Sequence, residues 1–102
     1  MIGDSDIQVW LDSQPSTAQT VVIPYVKTIT DRQLDYRLNV IQIGKSGTSR
    51  ISQGGTINAD AAQPTALSRL SLGLKKEDAC SIEVTLREGE QEVGNYRFDC
   101  PR

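Results

Sequence analysis

Cys80-Ser81-Ile82-Glu83-Val84-Thr85-Leu86-Arg87-Glu88-Gly89-Glu90-Gln91-Glu92-Val93-Gly94-Asn95-Tyr96-Arg97-Phe98-Asp99-Cys100 is the stretch that decides the fold class. Ile82, Val84 and Leu86 alternate with Ser81, Glu83, Thr85 and Arg87; Tyr96 and Phe98 alternate with Asn95, Arg97 and Asp99. Period-two alternation on both sides of the polar turn Glu88-Gly89-Glu90-Gln91 reads as an antiparallel hairpin. Folding it at its midpoint sets Cys80 opposite Cys100, Ile82 opposite Phe98 and Val84 opposite Tyr96. Directly paired residues have Cα atoms about 4.5–5.5 Å apart, within the reach of a disulfide. Both cysteines also fall on the apolar face. The spacing therefore predicts a cross-strand staple, Cys80–Cys100, against the alternative of two buried thiols in a reducing compartment. A disulfide implies an oxidising compartment such as the periplasm.

Alternation continues outward from this hairpin. Ile7, Val9 and Leu11 mark a first short strand, and Thr20 to Thr30 a second, rich in β-branched and aromatic residues. Pro24 lacks an N–H for a ladder, which predicts an edge or a bulge there. After a turn at Asp31-Arg32, Leu34, Tyr36, Leu38 and Val40 define a third strand. Its end, Val40-Ile41-Gln42-Ile43, predicts burial on two sides or a bulge. Gly44 to Gly55 reads as a flexible polar loop, with Ile51 opening a short edge strand. Thr65 to Leu74 reads as a strand with Leu70, Leu72 and Leu74 on one face and Leu67 on the other parity. Lys75-Lys76-Glu77-Asp78 is a charged corner. Ala59–Ala66 and Lys75–Ala79 are too short for helices, and Pro64 interrupts the first. About seven short strands separated by turn residues predict an all-β fold, an immunoglobulin-like antiparallel β-sandwich, in a single domain spanning residues 1–102.

The chemistry is bounded mostly by what the composition lacks. The chain has no histidine and two cysteines, so Ser-His-Asp and Cys-His catalysis and a four-ligand zinc site are excluded. Gly44-Lys45-Ser46 resembles the end of a phosphate-binding loop, but the required earlier glycine is Asn39. Cysteines twenty residues apart are not a C-x-x-C redox pair. Glu88, Glu90 and Glu92 read as a solvated acidic turn that discourages edge pairing. These absences predict a non-enzyme without metal or cofactor. A formal charge of −2 gives no footprint for nucleic acid, and no run of about 18 apolar residues is present to cross a membrane. Met1 to Asp6 has neither a basic nor an apolar region of a leader, so an exported protein is expected to be a mature form. Tyr25, Tyr36, Tyr96 and Phe98 fall on predicted inward faces. Trp10 falls on the polar parity of the first strand, either covering the sandwich edge or offering a contact to a partner.

Gln63-Pro64-Thr65-Ala66-Leu67-Ser68-Arg69-Leu70-Ser71-Leu72 resembles a stretch of the CsgC/CsgH family of curli-assembly chaperones, small periplasmic proteins with an immunoglobulin-like β-sandwich. The resemblance extends through Lys76-Glu77-Asp78 and Ile82-Glu83-Val84-Thr85-Leu86-Arg87-Glu88-Gly89. Ile23-Pro24 and Arg37-Leu38-Asn39-Val40 fit more loosely, so about half the chain is covered. The CsgC branch has a C-x-C pair where this sequence reads Leu34-Asp35-Tyr36, so no redox role of that pair carries over, and the chain looks closer to the CsgH branch. The resemblance implies a soluble chaperone that keeps a curli-type amyloid subunit from assembling early in the periplasm, and the protein is expected to be a monomer. The competing expectation is a structural or adhesion-type module of a secreted assembly. Arg37, Arg87 and Arg97 have the parity opposite to the apolar residues of their strands. They are expected to form a basic stripe on the solvent face of one sheet, available to a partner and interspersed with Asp35, Glu83 and Asp99. Trp10 is the second candidate contact.

Overall fold

The computed structural model describes residues 6–15, 19–73 and 77–101. Leu74, Lys75 and Lys76, and with them part of the expected Thr65–Leu74 strand and of the charged corner, lie outside the described residues. Eight strands follow one another: β1 (Ile7–Pro15), β2 (Thr20–Thr28), β3 (Arg32–Gly44), β4 (Gly47–Ala59), β5 (Thr65–Ala66), β6 (Leu70–Leu72), β7 (Ala79–Glu88) and β8 (Gln91–Asp99). They form two antiparallel sheets, one in the order β4-β3-β7-β8 and one in which β2 is flanked by β1 on one side and by β5 and β6 on the other. Val22, Val26, Leu70 and Leu72 from one sheet and Leu34, Leu38, Val40, Ile82, Val84 and Leu86 from the other share one core. That is the sandwich the alternation predicts.

The hairpin β7–β8 keeps the expected register, with Ile82 opposite Phe98 and Val84 opposite Tyr96. Its turn is tighter than a midpoint fold requires. Glu88 pairs Gln91 directly, and Gly89 supplies the positive φ of 63° at the first of the two turn residues. The register then shifts between Leu86 and Arg87, with Leu86 paired to Gly94 and Arg87 to Glu92. This bulge at Val93 lets both Val93 and Gly94 be buried. Cys80 and Cys100 are disulfide-bonded with their Cα atoms 5.3 Å apart, and Cys100 N–H donates to Cys80 O at 3.1 Å. The bond lies within one sheet and closes the base of the hairpin on the core side.

Several local expectations are overturned, each for a reason in the packing. Gly44 to Gly55 is not a loop: Lys45-Ser46 is a two-residue turn, and β4 pairs with β3 along its whole length. The eighth strand arises because the predicted Thr65–Leu74 strand is broken into β5 and β6. Between them the register against β2 moves by one residue, from Tyr25 opposite Ala66 to Val22 opposite Leu70. That shift brings Leu67, on the wrong parity for a regular strand, into the core. Pro24 sits in the central strand of its sheet rather than on an edge. Leu67 N–H donates to Pro24 O at 2.8 Å, and proline has no N–H to return, so the regular ladder stops there. Val40–Ile43 has neither two-sided burial nor a bulge: Val40 is in the core while Ile43 points outward, 52% exposed. Arg32 already begins β3, so the turn before it ends at Asp31. Tyr25 pairs with Trp10 on the outward side of β1–β2, not on the inward face.

Candidate protein-binding face

Adjacency of β3, β7 and β8 turns the sequence parity of the arginines into a shared surface. Cross-strand rows on the solvent side read Asp35, Arg87, Glu92; then Arg37, Thr85, Asn95; then Asn39, Glu83, Arg97. Arg87, Arg37 and Arg97 therefore occupy successive rows, on β7, β3 and β8 in turn, and lie on one face as expected. They are staggered rather than aligned. Adding β4 brings Arg50 onto the same face opposite Ile41. Among described residues the outward positions hold four arginines (37, 50, 87, 97) and four carboxylates (35, 83, 92, 99). The face alternates in sign and carries no net charge.

Its polar groups are largely cross-linked to each other. Arg97 Nη2 lies 3.4 Å from Glu83 Oε2, which also accepts from Asn95 Nδ2 at 3.3 Å. Asn95 Nδ2 donates in addition to Thr85 Oγ1 at 3.0 Å. Thr56 Oγ1 donates to Asp35 Oδ1 at 2.7 Å, and Ser52 Oγ to Asn39 Oδ1 at 2.7 Å. Arg87 Nη2 turns back to Glu90 O at 2.6 Å. Arg37, like Arg50 and Arg87, has no carboxylate partner among the described residues. With Asp35, Tyr36, Thr85 and Arg87 it lines a shallow groove across β3 and β7. Exposed pairs of this kind contribute at most about 1 kcal/mol each, so they order the face more than they stabilise the fold.

Trp10 is on the opposite side of the sandwich. Its ring stacks on Tyr25 with centroids 5.8 Å apart and planes 17° from parallel, so it is partly covered and does not join the arginines in one site. Cys80 and Cys100 are core residues, 8% and 5% exposed. Sequence reading missed Arg50, Ser52 and Thr56 because β4 offers only Ile51 and Ile57 as inward apolar markers among glycines and hydroxyls. The doublet spacing Ser49, Ile51, Gln53 against Thr48, Arg50, Ser52 was the available signal, and it is weak. Leu34 and Tyr36, at the positions compared with a cysteine pair, are respectively fully buried and packed against the core.

The chain matches the family model described as "Thin aggregative fimbriae synthesis protein" over residues 3–93. The chain belongs to this family. Curli assembly protein CsgC of Escherichia coli (strain K12) is 37% identical over 71 residues, covering 68% of this chain and 63% of the relative. That of Salmonella typhimurium (strain LT2) is 33% identical over 69 residues, covering 68% of this chain and 64% of the relative. The chain thus spans somewhat under two thirds of the length of these relatives. The solved E. coli curli protein CsgC superposes with a TM-score of 0.78 at 25% identity, over 90% of this chain and 97% of that one. The solution structure of R. palustris CsgH superposes with a TM-score of 0.73 at 22% identity over 91% of each chain, a likeness of fold. Both solved structures share the fold described above.

Proposed function

We propose that this protein acts in curli assembly as a periplasmic, non-enzymatic chaperone that delays amyloid formation by a curli-type subunit. Membership of the thin aggregative fimbriae synthesis family, with relatives named for curli assembly, is the observation that carries the reading. The solvent face of β4-β3-β7-β8 supports it physically. A strand-forming client presents unpaired backbone groups and alternating side chains. A flat, sign-alternating face guides such a chain without a deep pocket, and charge complementarity raises encounter rate more than affinity. Transient contact of this kind suits protection during transit. Contact is assigned to Arg37, Arg87 and Arg97, with Trp10 as a separate candidate.

Following fibril formation of a purified curli-type subunit with this protein at substoichiometric ratios tests the reading. The expected result is a longer lag, less so at high salt, because exposed charges are screened beyond about 8 Å at physiological ionic strength. Replacing Arg37, Arg87 and Arg97 together with glutamate is expected to abolish the delay while the protein stays folded. An unchanged lag at equimolar wild-type protein removes the chaperone reading and leaves a structural or adhesion module.

A further inference from the structure

We infer that the open edge of β4 is a docking edge that takes an extended, uncharged polar strand of the amyloid client by backbone pairing; this rests on the chaperone reading above and names how the client is held. The observation is an edge left without the usual guards. Natural sheets protect edges with proline, bulges, short strands or charge. Among the described strands, β1 ends in Pro15, β8 is bulged at Val93, and β5 and β6 are two and three residues long. β4 runs 13 residues, Gly47–Ala59, in continuous register with β3, without proline or bulge. Arg50 is its one charged side chain, and most of its residues are exposed.

Which backbone groups face the opening follows from the alternation of hydrogen-bonded pairs in antiparallel ladders. The Cys100 N–H to Cys80 O bond makes that pair a bonded one, so the even positions of β7 turn to β8 and the odd positions to β3. Carried through the register, Asp35, Arg37, Asn39, Ile41 and Ile43 bond to β7, and the even positions of β3 bond to β4. Ser49, Ile51, Gln53, Gly55 and Ile57 are thereby tied to β3. Thr48, Arg50, Ser52, Gly54, Thr56 and Asn58 turn their N–H and C=O groups to the open edge. The two-residue turn at Lys45-Ser46 fixes the same phase independently, since its flanking residues Gly44 and Gly47 form a bonded pair. Among the described residues, a hydrogen bond from the opposite sheet reaches β4 through a side chain, Ser68 Oγ donating to Gln53 Oε1 at 2.5 Å.

The occupant follows from the same residues. Six edge-facing residues at the two-residue strand repeat accommodate an extended segment of about ten residues. Thr48, Ser52, Thr56 and Asn58 favour hydroxyl- and amide-bearing cross-strand neighbours, and Arg50 disfavours a basic one. A strand seated on β4 cannot be extended through it, because the far side of β4 is already bonded to β3. A few molecules seated on growing nuclei therefore suffice, so the edge predicts action well below one copy per client.

Residue-resolved amide hydrogen exchange, with and without the curli-type subunit during its lag phase, tests this. The amides of Arg50, Ser52, Gly54 and Thr56 are expected to exchange fast in the free protein and to slow at least about tenfold with subunit, while Ile51 and Gln53 are protected in both. Ser52→Pro and Thr56→Pro, which remove edge-facing donors and are tolerated at such positions, are expected to lose most of the lag extension. Ser52→Ala and Thr56→Ala keep the donors and keep the effect. If the wild type lengthens the lag but these amides stay fast, the edge proposal fails and the chaperone reading stands. If neither changes, both fail; if the amides are protected without any change in lag, docking stands and chaperoning fails. Protection that appears without subunit as protein concentration rises makes a second copy the occupant and overturns the proposal.

Discussion

Replacing Thr28 with valine is expected to stabilise this protein, against the usual sign of a core substitution. Thr28 closes β2 opposite Ile7, is 1% exposed, and its Oγ1 has no hydrogen-bond partner among the described residues. In the unfolded chain that hydroxyl is hydrated, so folding strips it of water without compensation. Protein mutational data put such an uncompensated burial at about 1–3 kcal/mol. Valine is β-branched like threonine, keeps the same shape and strand rotamer, and replaces the hydroxyl with a methyl that gains by leaving water. A net gain on the order of 1–2 kcal/mol is expected, and a domain of this size gains about 4–8 °C per kcal/mol. Thermal unfolding followed by circular dichroism, with the disulfide intact, should therefore show Thr28→Val melting about 4–16 °C above the wild type. Thr28→Ser, which keeps the hydroxyl and removes the methyl, should melt below it. If the Thr28→Val variant melts at or below the wild type, the hydroxyl is satisfied in solution and the reasoning is refuted.

The Cys80–Cys100 bond closes a loop across a separation of 20 residues, so reduction should cost about 3 kcal/mol in the chain-entropy account and lower Tm by more than about 10 °C. Reduction should also raise the denaturant slope, since the unfolded chain is freed to expand; intact mass after alkylation without reductant checks that the bond is present. Leu38→Ala, at a fully buried core position, should cost about 2–5 kcal/mol by chemical denaturation. Gly89→Ala forces a φ of 63° on a residue with a Cβ and should cost about 1–2 kcal/mol. A double-mutant cycle on Trp10 and Tyr25 should return a coupling of about 0.5–1.5 kcal/mol for the stacked rings. Under the proposed function, neither single variant should alter the salt dependence of the lag extension, because both rings lie on the sheet opposite the arginines.

The candidate face was legible in part. Opposite parity to Ile82, Val84 and Leu86 is enough to send Arg87 outward, and the same holds for Arg37 and Arg97 on their own strands. That these strands are neighbours, and in which rows the residues meet, depends on pairing between segments far apart in sequence, such as Arg37 with Thr85, which local alternation does not encode. The staggered arrangement, with Glu83 beside Arg97 and Asp35 beside Arg87, is a consequence of register alone.

By itself the sequence determined the all-β class, the stapled hairpin and the inward residues of β3, β7 and β8, because alternation and turn chemistry act over a few residues and leave a local trace. Tertiary structure alone decided the rest. β4 is a strand because β3 offers it an edge along its full length, not because its glycines and hydroxyls favour one. Leu67 is buried because two short strands meet β2 in different registers, and Pro24 is tolerated in a central strand because its neighbour breaks there. Ile43 is exposed because no described element packs on the outer face of its sheet. In each case the deciding term is a backbone ladder or a packing surface supplied by a distant segment. Such terms outweigh local propensity, which spans only about 1 kcal/mol per residue in strands.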